Sequence, residues 1–549
     1  MVINKKFFYK FRYPIAAVCG VLMALPLVYS ALGILQWISL IPAAVLLYML
    51  ADDITVKYKK LYLLGLSYFF PFYCVVFHWF YYMHPMDFAG LTGAASLFVV
   101  TLATFGMAIF QGFAASFIFP IFAWLQRGIF VRKNPILKPF LIASMFVIVE
   151  WSQTLGWWGV PWGRLALGQL DYVAVQSASV LGSYFVSFVL VLVNAFIAYA
   201  LLGMPKAKLV SYLCIGTVIF QFAFGGVMLY FNGNVEGCDS VKMSAAQDTV
   251  TNEQKWGDGM TQYQKYSYTI DVYGKLTAEA AAEGAKVVVW PETVLPYNFY
   301  EYEYMVIDMS NIARKNNITI LFSTFTSADE VSSGGLYNSI VQVNPDGSYG
   351  EVVYAKQHLV PFGEFLPMED LIRTIAPPLA ELAQTDNIIA GEDSVVLPTA
   401  VGQLGGLICF DSIYEDLAIN SARNGAEVFV VSTNDAWFRQ SAALNMHYSQ
   451  SRLRAIECGR YVVRSANTGI SAIITSTGEP LDICGAGKVG QITEDVYLRN
   501  NKTVYSVIGD AFVYLLIAFV GAVTVISIAK FFSAISQKIR ELDKNGKKS

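Results

Sequence analysis

Three residues of the 549-residue sequence stand where a chain would place reactive groups. Glu292 follows Trp290 and Pro291 after the apolar run Val287–Val289, where a strand gives way to a loop. Lys356 closes Tyr354-Ala355-Lys356 and precedes Val360-Pro361-Phe362-Gly363-Glu364-Phe365. Cys409 ends the run Gly405-Gly406-Leu407-Ile408 just before a turn. Taken singly, each has an ordinary reading: a helix N-terminal charge, a solvated lysine, a small buried hydrophobe. Taken together, an acid, an amine and a thiol at three strand ends can assemble a nucleophile. A free thiol with a pKa of about 8.5 is mostly protonated at neutral pH, so it needs a base and a nearby cation. No histidine is well placed in the sequence, so the base is expected to be a carboxylate whose pKa burial raises.

The elements that would hold these residues are short and alternate in period. Val241–Gln247, Val287–Trp290, Ile318–Ser323, Ser339–Val343, Gly405–Cys409 and Val428–Ser432 read as strands. Tyr263–Glu283, Tyr304–Lys315 and Ala442–Cys458 read as helices, the first with small residues along Ala278–Ala282. Buried strands alternating with helices predict an α/β layered sandwich. No internal repeat is visible.

That domain is not the whole chain. Hydrophobic residues make up 55%, charged residues 14%, and the mean hydropathy is +0.48. Soluble domains run at roughly 45–50% apolar and about 25% charged. Residues 14–231 and 506–533 are almost free of charge over long runs, whereas 232–505 has an ordinary soluble texture. The apolar runs predict spans at 14–32, 34–50, 61–82, 91–119, 136–150, 175–202, 209–231 and 506–530, the fifth being short for a crossing. The expected division is a seven-span membrane domain (1–231), a water-exposed domain (232–505), and an eighth span with a frayed basic tail (506–549).

Charge placement gives the orientation. Lys5, Lys6, Lys10 and Arg12 lie at the N-terminus, then Lys57, Lys59 and Lys60, then Arg127, Arg132, Lys133 and Lys138, then Lys206 and Lys208. The C-terminal end adds Lys530, Lys538, Arg540, Lys544, Lys547 and Lys548. Every second loop is basic, and the loops around His84–Asp87 and Trp151–Asp171 are not. The positive-inside rule predicts both termini in the cytoplasm and 232–505 on the outer face of the cytoplasmic membrane.

Other classes recede. With 38 basic and 41 acidic residues the net charge is −3, and no nucleic-acid footprint is visible. The cysteines Cys19, Cys74, Cys214, Cys238, Cys409, Cys458 and Cys484 form no CxxC or Cys/His ligand spacing, so neither a zinc site nor a disulfide framework is expected. No cofactor is called for. A transporter or receptor with an external binding domain would favour paired intramembrane charges or broken helices, and would have no need of the acid, amine and thiol.

Trp290-Pro291-Glu292, Lys356 and Cys409 resemble the Glu-Lys-Cys triad of the nitrilase superfamily, and the membrane context narrows the resemblance to the apolipoprotein N-acyltransferase family. Further segments carry it: Glu150-Trp151 with Gly159-Val160-Pro161-Trp162-Gly163, Gln247 with Lys255-Trp256, and His358 through Glu364. Asn434-Asp435-Ala436-Trp437-Phe438, then His447, Arg452 through Glu457, and Arg464 through Ser471 follow in family order. The resemblance implies a nitrilase-like αββα four-layer sandwich beside an α-helical transmembrane bundle of about eight spans. It implies a two-step acyl transfer: a phospholipid as acyl donor, a thioester on Cys409, and the N-terminal diacylglyceryl-cysteine of an apolipoprotein as acceptor. In that scheme Glu292 is the base and Lys356 the oxyanion partner, helped by a backbone N–H near Phe410. Glu364 would orient Lys356 or share its charge, Trp437 and Phe438 would wall the acyl pocket, and Trp162 would line the lipid's route or anchor at the bilayer surface. His358 and His447 are read as structural.

Two positions depart from the pattern. The family usually has Glu two residues after the nucleophile, where this chain has Asp411; after Trp-Phe it commonly has Gly and Asp, where this chain has Arg439-Gln440. Asp411 keeps the charge with a shorter reach, and Arg439 adds a cation near the expected lipid mouth. The departures leave open a membrane-tethered amidase or hydrolase of the same superfamily, or transfer to another amine.

Overall fold

The computed structural model describes residues 5–86, 91–156, 159–251, 254–255, 259–328, 334–375 and 388–546. Asp87, Trp256, Lys547 and Lys548 lie outside the described residues.

Among the described residues, six helical segments are long and apolar enough to cross a membrane: Ser30–Asp52, Tyr58–Met83, Gly93–Arg127, Ser183–Leu201, Ala207–Gly233 and Ala511–Glu541. The two other expected spans are helices of 17 residues (Arg12–Val28) and 16 residues (Leu137–Ser152), short of the ~20 that a bilayer asks for. Arg12–Val28 crosses Tyr58–Phe77 with backbones in contact, since a Cβ on Gly20 would lie 2.0 Å from the Tyr68 carbonyl oxygen. The expected span 175–202 starts late. Val173–Ser177 and Ala178–Leu181 form separate helical turns, and Gly182 breaks the path at φ 76°, where a Cβ would strike the Tyr505 ring at 2.4 Å. The basic tail is not frayed through its described part: one helix runs from Ala511 to Gly546.

The polar domain holds two sheets. In the first, the strand order is Gly490–Tyr497, Ser240–Gln247, Val287–Val289, Thr319–Ser327, Leu336–Val343, Tyr354–Ala355, with Leu295–Asn298 beside Thr319–Ser327. In the second it is Pro480–Cys484, Ser471–Ile474, Tyr461–Asn467, Val428–Asn434, Gly402–Ile408, Val396–Thr399. The centre of each sheet is parallel. Each expected strand and helix is present, with its ends moved by a few residues.

Side-chain alternation builds the layers. Val287 and Val289 share one core with Leu404, Ile408, Val428 and Val430 of the other sheet, so the sheets pack face to face. Val288 points the other way, with Ile320 and Phe322, onto the helices Gln262–Ala282 and Glu303–Asn316. Phe429, Val431 and Val462 turn outward onto Glu415–Arg423 and Ala443–Cys458. The result is the αββα sandwich. The outer helical layer of the second sheet also belongs to the core of the membrane bundle, where Leu417, Ile419, Leu453 and Ile456 join Leu141, Val147 and Tyr184.

Charges fasten the two parts. Arg164, in the loop after Leu137–Ser152, meets Glu415 at 2.8 Å with both side chains buried. Arg454 approaches Glu415 at 3.5 Å, and Tyr184 donates its hydroxyl to the same carboxylate. Burial by itself would raise the Glu415 pKa, but Arg164 and Arg454 outweigh it and hold it at about 2. This contribution to stability is present above the ordinary carboxylate range and is lost as pH falls through about 2. Arg164→Met leaves Glu415 less compensated and is expected to cost about 3–5 kcal/mol. Lys275→Met at the exposed Lys275–Glu279 pair, 3.8 Å apart, should cost less than about 1 kcal/mol. Thermal unfolding of the two variants in one detergent compares them, and equal shifts would mean that the Arg164 link does not fasten the parts.

Candidate active site

Glu292 leaves the first sheet at the C-terminal end of Val287–Val289, and Cys409 leaves the second at the end of Gly402–Ile408. Lys356 follows Tyr354–Ala355, whose partner strand is Leu336–Val343. The seam between the sheets thereby brings together three residues far apart in sequence: Glu292 and Cys409 at the carboxyl ends of parallel strands, where layered α/β folds form their clefts, and Lys356 after the antiparallel edge strand Tyr354–Ala355.

The Trp290 turn is tied on several sides. Its N–H donates to Leu321 O at 2.8 Å, its indole N–H to Thr277 Oγ1 at 3.0 Å, and Ser432 Oγ donates to its carbonyl at 2.9 Å. Glu292 is then buried with its carboxylate fully engaged. Lys356 Nζ donates to Oε1 at 3.0 Å, Asn338 Nδ2 to the same oxygen at 2.8 Å, and the Asn434 N–H to Oε2 at 2.9 Å. The Cys409 thiol also favours the charged form of Glu292. From the sequence, burial is expected to raise this carboxyl's pKa. Burial does push it up, but Lys356, the thiol and Lys255 together pull it below the ordinary value.

Cys409 adopts φ 49°, a left-handed conformation uncommon for a side-chain-bearing residue and frequent at strained functional turns. Its carbonyl is held by Ser412 Oγ at 2.7 Å and faces His447 Nε2 at 3.1 Å. His447 is braced by Asp435 at 2.8 Å, and Arg464 reaches the same Asp435 at 2.8 Å. His447 therefore sets the nucleophile's turn and does not meet its sulfur through these bonds. Burial and the Glu292 charge push the Cys409 thiol well up, with Lys356 acting in the opposite sense. The resting pair is a thiol beside a carboxylate.

Lys356 is 1% exposed and lies between two carboxylates, with Glu364 at 2.9 Å on its other side. Burial disfavours its charge, but Glu292 and Glu364 prevail and raise its pKa. Glu364 is held by the Val360 N–H at 2.9 Å and by Asn338 Nδ2 at 3.2 Å. Asp411, fully buried, does not touch Glu292 or Cys409 Sγ through its hydrogen bonds. It accepts from the Gln357, His358 and Ile408 N–H groups at 3.2, 2.8 and 3.1 Å and from Tyr354 OH at 2.8 Å, clasping the Lys356 segment to the nucleophile's turn. Burial raises its pKa to about 6. Phe410 is buried against Tyr414, whose ring also stacks on His358 at 3.8 Å.

Two residues of the site were given no role from the sequence, Asn338 and Lys255, the second quoted only as part of a segment that carries the family resemblance. Asn338 bridges Glu292 and Glu364; an Asn inside a β-branched run is the signal that could have marked it, because strands are depleted in Asn. Lys255 is buried and donates to Glu292 O at 3.1 Å and to Thr293 Oγ1 at 2.5 Å, and Thr293 itself sits at φ 43°. Burial, against the pull of Glu292 and Cys409, lowers the Lys255 pKa to about 7. Lys255→Met is expected to cut turnover by about tenfold with little change in thermal stability, two charge-assisted bonds to the Glu292 turn being lost while the cost of burying a charge is relieved. The acid limb of its rate profile should move to higher pH, since a cation favouring charged Glu292 is gone; an unmoved limb would assign Lys255 to packing alone.

The aromatic residues group differently from expectation. Trp162 is 3% exposed and faces neither lipid nor water: its ring lies 5.1 Å from Trp79 and 5.6 Å from Phe438. Phe438 also meets Trp79 edge-on at 5.0 Å. This cluster joins the membrane helices to the loop after Val428–Asn434, with Trp437 half-buried beside it. Arg439 holds the carbonyls of His84 and Pro85 with its guanidinium, at 3.3 and 2.7 Å. It does so from φ 45° and ψ −139°, a conformation suited to glycine. The seven cysteines are unpaired, and among the described residues no His/Cys/Asp/Glu cluster could hold a metal ion.

A two-sheet αββα sandwich with a buried acid, amine and thiol at its seam defines a carbon-nitrogen hydrolase of the nitrilase superfamily, and the carbon-nitrogen hydrolase family model matches residues 259–500. The model of the apolipoprotein N-acyltransferase N-terminal domain matches residues 19–196, within the membrane bundle. The chain belongs to the apolipoprotein N-acyltransferase family. It is 26% identical over 485 residues to a protein of that name from Gloeobacter violaceus, covering 88% of each chain. It is 25% identical over 527 residues to another from Geobacter metallireducens, covering 94% of this chain and 95% of that one. Among solved structures, an amidase from Nesterenkonia sp. aligns with a TM-score of 0.35 and 18% identity, over 48% of this chain and 91% of that one.

Proposed function

We propose that this chain N-acylates the N-terminal diacylglyceryl-cysteine of apolipoproteins, drawing the acyl group from a phospholipid. The observation that carries the reading is the thiol–carboxylate–ammonium set of Cys409, Glu292 and Lys356 in a domain fused to a membrane bundle. Glu292 takes the thiol proton as sulfur attacks the ester carbonyl. Negative charge moves onto the carbonyl oxygen, where Lys356 and a backbone N–H near Phe410 meet it. Collapse expels the lysophospholipid alkoxide, which recovers the proton from Glu292 and leaves a thioester on Cys409. The acceptor's neutral amine then attacks that thioester, Glu292 removes its proton, and the proton returns to the departing sulfur. An amide has formed and the enzyme is regenerated.

Mass spectrometry of a diacylated lipopeptide incubated with the purified chain and phospholipid tests this. One acyl chain gained as an N-terminal amide, with lysophospholipid released and both lost in Cys409→Ala, is the expected result. An unmodified peptide with Cys409-dependent release of fatty acid would instead make the chain a hydrolase.

The alternation of basic loops supports cytoplasmic termini and a catalytic domain on the outer face of the cytoplasmic membrane. Tyr263→Cys should then be labelled by an impermeant thiol reagent in intact spheroplasts, and Lys538→Cys only in inverted vesicles. The opposite pattern would reverse the orientation.

A further inference from the structure

The last helix, Ala511–Gly546, is longer than a crossing requires. Between Asp510 and Lys530 it carries no charge, which matches the ~20 residues that span a hydrocarbon core. Residues 531–546 therefore stand past the core, on the side away from the polar domain, and extend for about 24 Å at the α-helical rise. A lone helix of this length is marginal in water and normally depends on packing an apolar face. This one has such a face, and it is bare: Phe531, Phe532, Ile535 and Ile539 are all exposed.

The spacing says what the face fits. Ile528, Phe532, Ile535 and Ile539 recur at intervals of four, three and four residues, the seam of a two-stranded coiled coil. Ser533, Gln537, Arg540 and Glu541 fall on the other sides of the helix. Within the span the same stripe runs back through Val525, Gly521, Ala518 and Tyr514, all exposed. Val513, Leu516 and Val523, which join the core of the bundle, lie on the opposite side. The bundle therefore leaves room for a second helix along the whole seam. The bilayer surface is a poorer cover. Ile539 lies about 14 Å past Lys530 along the helix, beyond a headgroup layer of about 5–8 Å.

Charge selects the partner. In a heptad lettered a to g, Phe532 and Ile539 take a and Ile535 takes d, which puts Lys538 at g and Asp543 at the next e. In a parallel pair, g of one helix meets the following e of the other. Two copies of one chain in one membrane run parallel, so Lys538 of each copy faces Asp543 of the other. Both residues are exposed and available for this. We infer that the chain pairs with a second copy of itself through this helix, with Ile528, Phe532, Ile535 and Ile539 as the seam and the Lys538–Asp543 pairs as its flanks.

Cross-linking of the full chain in isolated membranes tests the inference. Ile535→Cys places a thiol in the seam, and Gln537→Cys places one on the opposite side of the helix. The wild-type chain, with its seven native cysteines, sets the background. Oxidation with copper phenanthroline should convert the 60.7 kDa Ile535→Cys chain to a species of twice that mass and leave Gln537→Cys at background. Adding Ile539→Lys, which sets like charges in the seam, should abolish the doubled species. Adding Asp543→Lys should weaken it, and adding Lys538→Glu to that variant should restore it. Cross-linking of Ile535→Cys no stronger than that of Gln537→Cys overturns the inference, as does a doubled species that survives Ile539→Lys. An Ile535→Cys thiol that stays single and is shielded from a membrane-impermeant reagent would put the stripe on the lipid surface, and overturns it too.

Discussion

Glu292→Gln is expected to slow both acylation of Cys409 and transfer from it by about 10⁴-fold, the upper range for loss of a general base. The shape of the side chain survives, but the group that accepts the proton does not. The effect should be this large because the thiol cannot ionise unaided: burial and the neighbouring carboxylate push it far from the thiolate form. Single-turnover acylation, followed by the mass of the intact protein, measures the first step directly. A variant that acylates within tenfold of the wild-type rate would show that the proton leaves by another route. The wild-type pH dependence follows from the same geometry. The Glu292 pKa is depressed, so the base is ready throughout the neutral range, and acylation of Cys409 falls only as pH drops through a value below that of an ordinary carboxylate; transfer also needs the acceptor's amine neutral.

Lys356→Met is the second change with a large expected effect, and it acts on more than the oxyanion. Losing the cation should reduce turnover by about 10²–10³-fold through the transition state. It also leaves Glu292 and Glu364 facing one another around an apolar side chain, where Nζ had held them at 3.0 and 2.9 Å. Removing one member of such a buried set costs about 3–5 kcal/mol. With the principal opposing charge gone, burial should raise the Glu292 pKa, and the acid limb of the rate profile should move to higher pH. Thermal unfolding and a rate profile across pH 4–9 report the two effects separately. If the limb stays in place, Lys356 is not what keeps Glu292 charged.

The sequence carried the site in residue type and spacing. Glu292, Lys356 and Cys409 could be singled out because each ends an apolar run; Glu292 and Cys409 stand at the ends of parallel strands, where a sheet buried on both faces exposes a polar group, and Lys356 follows an antiparallel edge strand. The central strands were legible for the same reason, being runs of Val, Ile and Leu buried on both faces. Edge strands such as Pro480–Cys484 and Gly490–Tyr497 carry too much polar surface to stand out. What sequence order cannot supply is the company each group keeps. The sign of the Glu292 shift turned on two lysines, one of them 37 residues away in the chain. Trp162, after Pro161 in a loop, was expected to line the lipid's route or anchor at the bilayer surface, yet Trp79 and Phe438, from two other elements, bury it. Asp411 shows how a shorter side chain serves: its partners are backbone N–H groups close at hand, and it has no need to reach across the cleft.

Glu415–Arg423 and Ala443–Cys458 have two masters, the second sheet on one face and the transmembrane bundle on the other. The catalytic half is therefore not a cargo that the membrane half merely carries. Severed from the bundle, it would present a bare apolar flank and lose Arg164 from Glu415, and the turn that cradles Cys409 is continuous with that flank. An enzyme so built is confined to the bilayer by the architecture of its own active site, and shedding its anchor would silence it before it could diffuse away.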